Sequence, residues 1–439
     1  MRRARATAVA TLLAGAALAA AGPGPVAVAV APRAYGGRPS VEQLSALGRA
    51  MFSDPTLSAS GRVSCASCHD PVTAFGPNAH TASPFRDDDP GHDGTRAIPS
   101  LRYAQFAGRF TEHTIDDEET HGVDGGPTGG FTWDGRADTA REQALIPLFD
   151  EREMANADVA SLARRVAAAP YAAQFRAAFS PPRGDVFADP RRVVDWMALA
   201  LEVYEQAPEF APFDSRYDRW LDGRATLTDA QLRGLALYRD PDKGNCDTCH
   251  PSRRAVSGSA PLFTDAGFVA VAAPRRAELP PLAALSTSMR QPVAASARGE
   301  AADLGLCRSG RRGLSDDPSF CGRFRTPTLR NVAQRASFFH NGSVRSLREA
   351  VAFYATRDTD PARWYARNAD GSVRVYDDLP ADAVPFVNRE IPFAPWPDGR
   401  PRLDDREIDD IVAFLRTLSD ADVATPAAGA TGVDGPAAR

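Results

Sequence analysis

Long apolar runs are missing from this chain after its first thirty or so residues: no later segment reaches the roughly 20 residues that a membrane-spanning helix needs. An excess of positive charge is missing as well. The formal net charge is −5, and −8 once Arg2, Arg3 and Arg5 of the first segment are set aside, which excludes nucleic acid as a partner and favours a basic protein partner. Strand-like alternation is scarce, whereas 34 glycines and 36 prolines punctuate the sequence. This predicts short helices joined by long irregular loops, and such loops need an organiser inside a compact protein. A hydrophobic fraction of 43% over 439 residues is ordinary for globular material, suffices for two or more cores, and rules out a disordered or collagen-like chain.

The first residues, MRRARATAVATLLAGAALAAAGPGPVAVAVAPRA, place three arginines before an Ala, Leu and Val run and then small-residue cleavage candidates. This is the pattern of a secretory signal peptide. Gly and Pro near residues 22–25 break the run and make it a poor spanning helix. Residues 1–31 are therefore read as a leader outside the fold, and the mature chain as exported, soluble and periplasmic, with no membrane span.

Of six cysteines, four fall in two copies of Cys-x-x-Cys-His: Cys65, Cys68 and His69, then Cys246, Cys249 and His250. Cys307 and Cys321 are left over. In an oxidising compartment they are expected to pair, closing a loop of about 15 residues worth about 3 kcal/mol in the chain-entropy model. Each motif follows an amphipathic helix. Before the first, Ser40 is the N-cap and Leu44, Leu47 and Met51 recur at helical spacing. Before the second, Thr228 and Gln231 form a capping box followed by Leu232, Leu235 and Tyr238 on one face. Each half also closes in a helix, one opened by Asp189 and Pro190, the other by Asp404 or Asp405 with the apolar stripe Ile408, Ile411, Val412 and Leu415. The acidic segment 112–130 reads as a surface loop, and residues 421–439 as a disordered tail.

Cys-x-x-Cys alone could bind zinc or act as a redox dithiol, but an immediate histidine together with an export signal points to c-type haem attachment. The thiols form thioethers to the haem vinyl groups, and His69 and His250 become the proximal iron ligands. For zinc, the ligands would be split over motifs about 180 residues apart with no fitting second pairs nearby. The expected fold is mainly α: two cytochrome c-like haem domains, 38–210 and 211–420, joined by long loops that the haems organise.

Two haems suit either an electron carrier or an enzyme. The stretch FTWDGRADTAREQALIPLFDEREM contains Trp133, Gln143, Pro147 and Glu153 within an expected helix and the turn after it. With both haem motifs, with FTDAGF at 263–268, with FRTPTLRNVAQRASFFHNGS at 324–343 and with SLREAVAFY at 346–354, the mature chain resembles the bacterial di-haem cytochrome c peroxidases and their relative MauG. The resemblance implies that the N-terminal haem reacts with hydrogen peroxide, that Glu153 is the distal acid–base residue with Gln143 beside it, that Pro147 lines the pocket, and that Trp133 lies between the haems. Cleaving peroxide requires a proton taken from one oxygen and delivered to the other, which a single carboxylate within reach can do. An apolar pocket should raise that carboxylate's pKa.

The resemblance also exposes departures. Where the peroxidases carry an axial methionine after His-Asn/Asp-Gly, this chain has Tyr354, which is therefore read as the sixth ligand of the C-terminal haem. A phenolate is hard and anionic where a thioether is soft, so it favours oxidised iron and a MauG-like chemistry in which two linked haems share both oxidising equivalents. The rival reading makes Tyr354 a core residue and Met289 the ligand. Members of the family hold a calcium ion between the domains on an asparagine, but Ala97 stands at that position in TRAIPSL, leaving only backbone carbonyls near Arg335 and Ser337, or the acidic loop. His80 and His92 lie in the loop where many relatives carry a displaceable ligand, without matching its position. His113, His121 and His340 are read as hydrogen-bonding residues. Three functions follow: a peroxidase fed by a small redox protein (a cytochrome c or a cupredoxin), a MauG-type oxidase of Trp or Tyr in a partner protein, and a non-catalytic carrier. Relatives are often homodimers, but no interface is legible here.

Overall fold

The computed structural model describes residues 39–77, 94, 96–113, 125–179, 184–276, 303–315 and 317–423. Among these the fold is mainly helical. Ten α-helices and many single 3-10 turns are accompanied by one antiparallel pair of two-residue strands, β1 (Phe268–Val269) and β2 (Phe324–Arg325). The leader 1–31, His80, His92, His121, Met289 and the chain from 424 lie outside the described residues.

Helix α1 (Val41–Phe52) begins where Ser40 Oγ accepts from the Gln43 N–H at 3.2 Å while Gln43 Oε1 accepts from the Ser40 N–H at 2.9 Å. These bonds satisfy two backbone donors that a helix start leaves without partners. Leu44, Leu47 and Met51 then face inward against α4 (Val159–Ala168), α5 (Ala172–Phe179) and α6 (Pro190–Tyr204), forming the N-terminal core. Asp189 caps α6, with Pro190 at its first position. The device repeats in the C-terminal half. Thr228 and Gln231 box the start of α8 (Asp229–Arg239), Asp404 and Glu407 that of α10 (Asp405–Leu415), and these helices enclose a second core with α7 (Arg216–Leu221) and α9 (Leu347–Thr356).

Both cores are closed by the same kind of crossing. On α1, Gly48 lies so near α6 that a Cβ there would meet the Ala200 carbonyl oxygen; on α8, Gly234 would meet that of Asp410 on α10. Side chains are sacrificed at these points so that helix backbones can touch. The crossing also corrects the expected stripe of α8. Leu235 and Tyr238 are buried, but Leu232 is 42% exposed, because Gly234 takes the position against α10.

A further correction concerns the tryptophan stretch: Trp133 precedes the helix, which starts only at Ala140 behind the N-cap Thr139 and runs as α3 (Ala140–Phe149). Cys307 and Cys321 are disulfide-bonded as expected, with Cα atoms 4.9 Å apart. The two halves meet along residues 96–103. Arg102 pairs with Asp420 and Asp422 at 2.9 and 2.6 Å, and Tyr103 donates to Asp420 at 2.7 Å. The packed chain thus runs on to Val423, which is buried.

Candidate haem and peroxide site

At the first motif Cys65–Cys68 forms a single helical turn, α2, with Ser64 ahead of it and His69 as its C-cap. His69 Nδ1 lies 3.2 Å from the Phe75 carbonyl oxygen. A carbonyl can only accept, so Nδ1 carries the hydrogen and Nε2 is left as a free electron pair. Burial depresses the imidazole pKa to about 4, so the ring is neutral at physiological pH. The second motif repeats the arrangement: a turn at Cys246–Thr248, then His250 with Nδ1 2.8 Å from the Phe263 carbonyl oxygen.

Two acids, the buried Glu205 and the half-buried Glu153, act electrostatically on Cys65. Its thiol is pushed up to about 12 by burial first, then by Glu205, Cys68 and Glu153. Glu153 itself is raised to about 8, mainly by burial and then by Asp150. The turn that places it follows directly from the end of α3. The Glu153 and Ala155 N–H groups donate to the Asp150 carbonyl at 3.1 and 2.9 Å, and the Met154 N–H to that of Pro147 at 3.0 Å. Asn156 ties the turn down through bonds to the Leu57 and Leu148 carbonyls. Gln143 and Pro147, four residues apart, share one face of α3. Glu205 was not legible in the sequence. It is the C-cap of α6, buried, and raised to about 8 by burial and then by Glu202. An acid at a helix C-terminus opposes the dipole, a weak signal that could have flagged it.

The C-terminal half contains a cavity enclosing about 1470 Å³, part of it open to solvent, lined by Cys246, Cys249, His250, Tyr354 and Trp133. Tyr354 enters from α9, packed by Phe339 and Phe393 at ring distances of 6.0 and 5.1 Å, and burial raises its phenol pKa. Its hydroxyl has no hydrogen-bond partner among the described residues. Trp133, also on the cavity wall, donates Nε1–H to the Ala97 carbonyl at 2.7 Å, and its own carbonyl accepts from the Arg325 N–H at 2.8 Å. Trp133 therefore joins the two halves.

The residues present suit covalently attached haem. Arg325 and Arg335 both line the cavity, and burial lowers each to about 10 with no carboxylate among the described residues to pair with either. A cation taken even partly out of water without a counter-charge is costly, and the two propionates of a haem would neutralise them. His340, expected to be a hydrogen-bonding residue, instead stacks on Phe324 at 3.5 Å, and its Nε2 makes no hydrogen bond, with Asp378 Oδ2 3.9 Å away. It too lines the cavity. No cluster of three or more His, Cys, Asp or Glu suited to a bare metal ion occurs among the described residues.

Known proteins point the same way. A family model described as di-haem cytochrome c peroxidase matches residues 42–226. The chain is 33% identical over 395 residues to methylamine utilization protein MauG of Paracoccus denitrificans, covering 89% of this chain and 92% of that one. It is 30% identical over 322 residues to cytochrome c551 peroxidase of Pseudomonas aeruginosa, covering 72% of each. Among solved structures, the diheme peroxidase BthA from Burkholderia thailandensis is 40% identical, with a TM-score of 0.74 over 92% of this chain and 91% of that one.

Proposed function

This chain belongs to the di-haem cytochrome c peroxidase and MauG family of haem oxidoreductases, and from that premise we propose that it is an exported, periplasmic peroxidase reducing hydrogen peroxide to water with electrons from a small redox protein. Residues 38–210 and 211–420 form its two cytochrome c-like domains, one haem in each. Cys65, Cys68 and His69 would hold the first, and Cys246, Cys249 and His250 the second, with Tyr354 as a further ligand for the second haem's iron. When bound, the haems supply the iron that exchanges electrons with peroxide and donor.

The observation that carries the reading is the half-buried Glu153, whose pKa is raised to about 8 and whose charge is felt at the Cys65 thiol. Such a carboxyl can take the proton from the inner oxygen of peroxide and return one to the outer oxygen, so that water leaves. Gln143, on the helix that leads to this turn, orients the peroxide, and Pro147 walls the pocket. Trp133 links the halves as the electron route. A pure carrier has no use for a proton-holding carboxyl. The 40% identity to a diheme peroxidase supports the same reading.

Tyr354 favours a second reading, a MauG-type enzyme that oxidises Trp or Tyr residues of a partner protein. A hard phenolate stabilises oxidised iron and slows its return to the reduced state. The experiment is steady-state turnover with peroxide and a reduced cytochrome c or cupredoxin. Rapid oxidation of the donor supports the peroxidase, whereas negligible turnover with a long-lived oxidised state supports protein oxidation.

A further inference from the structure

The residues at the seam between the two halves do not suit the calcium ion that the family resemblance implies. Ala97 brings a buried methyl group where a calcium-ligating asparagine is expected. Its carbonyl oxygen accepts from the Trp133 indole at 2.7 Å, and its N–H donates to the His340 carbonyl at 2.7 Å. The nearby carbonyls are not free for a metal either. Arg335 Nε donates to the Ser337 carbonyl at 3.3 Å, and Arg335 Nη2 donates across the seam to the Ile98 carbonyl at 3.3 Å. Calcium needs six to eight oxygens at about 2.3–2.6 Å, with carboxylates among them; a guanidinium lying on the same oxygens excludes a dication by charge as well as by volume.

We propose that the Arg335 guanidinium is the resident cation of this seam, joining the halves in place of calcium and making the protein independent of that metal. A guanidinium can fill such a role because it is planar, carries five N–H donors and stays charged when buried. Two of its donors span Ser337 on one side and Ile98 on the other, and its plane lies 5.9 Å from the Trp133 ring. It is half-buried, lines the haem cavity and has no carboxylate partner among the described residues. The remaining N–H groups are left for an acidic group of the cofactor. Arg335 is thus a positioning residue: it acts by fixing the Ile98 and Ala97 backbone against which Trp133 is hydrogen-bonded, and by placing a fixed positive charge at the cavity wall.

The test uses the holoprotein with both haems. Atomic-emission analysis should find well under one calcium per chain, and neither EGTA nor added calcium should shift its thermal midpoint or its haem spectrum. Stoichiometric calcium, or a midpoint or spectrum that EGTA moves, overturns the proposal. Arg335→Gln should lower the thermal midpoint by several degrees and lower the reduction potential of the C-terminal haem, because loss of a nearby positive charge favours the oxidised iron. A midpoint and potential both equal to those of the parent overturn it equally. If the variant fails to assemble, the calcium analysis of the parent protein decides alone.

Discussion

His250 Nδ1 lies 2.8 Å from the carbonyl oxygen of Phe263, which fixes the ring's tautomer and leaves Nε2 as the nitrogen that could ligate an iron. Tyr354 lines the same cavity with a phenol oxygen that has no hydrogen-bond partner among the described residues. Replacing Tyr354 by Phe keeps the ring packing against Phe339 and Phe393 and removes the oxygen. The C-terminal haem should then lose its low-spin optical and EPR signature while haem content stays the same. An unaltered spectrum would move the axial ligand elsewhere.

Glu153→Gln should slow peroxide cleavage by about 10²–10⁴-fold, the range of a single acid–base group, with haem content intact. The pH dependence is signed. Burial and Asp150 hold the pKa at about 8, so the carboxyl is largely protonated at neutral pH and must ionise before it can accept a proton. The stopped-flow rate with peroxide should therefore climb as pH rises through about 8 and level off above it, and the Gln variant should flatten the curve.

Glu205 offers a stability test free of that chemistry. Its folded pKa of about 8 lies above the ordinary carboxyl value of 4.5, so the folded state holds the proton more tightly than the unfolded chain. Stability from this group is fully present below about 4.5 and is lost as pH rises through about 8. Denaturation of Glu205→Gln protein should show a smaller loss between those limits than the parent, and identical pH profiles would refute the assignment.

Gly48→Ala and Gly234→Ala each drive a methyl group into a backbone carbonyl of the crossing helix. Each should destabilise the holoprotein by about 1–3 kcal/mol or more by overpacking, measured by chemical denaturation. Variants as stable as the parent would show that α1 against α6, or α8 against α10, is looser than described.

What was legible in the sequence is what depends on near neighbours. Capping boxes at Ser40 and Thr228 involve residues three apart, the haem motifs are contiguous, and the stripe of α10 is periodic, so each could be read locally. Gly48 and Gly234 matter only because Ala200 and Asp410, more than a hundred residues away, approach them, and Leu232 was misread for the same reason. Glu205 and His340 carry no motif; the burial of the one, and the stack of the other on Phe324, appear only when the chain is folded. Arg335 could be placed near the seam, but its lack of a carboxylate is a property of everything around it.

The most direct test of the account is an optical and EPR titration of the purified two-haem protein with stoichiometric peroxide, followed by a reduced cytochrome c or cupredoxin. One equivalent should oxidise the protein by two electrons in all, with reaction at the Cys65–His69 haem, and the reduced donor should return it promptly to its starting spectrum through many cycles. Two low-spin haems inert to peroxide, or an oxidised state that the donor does not discharge, would contradict it.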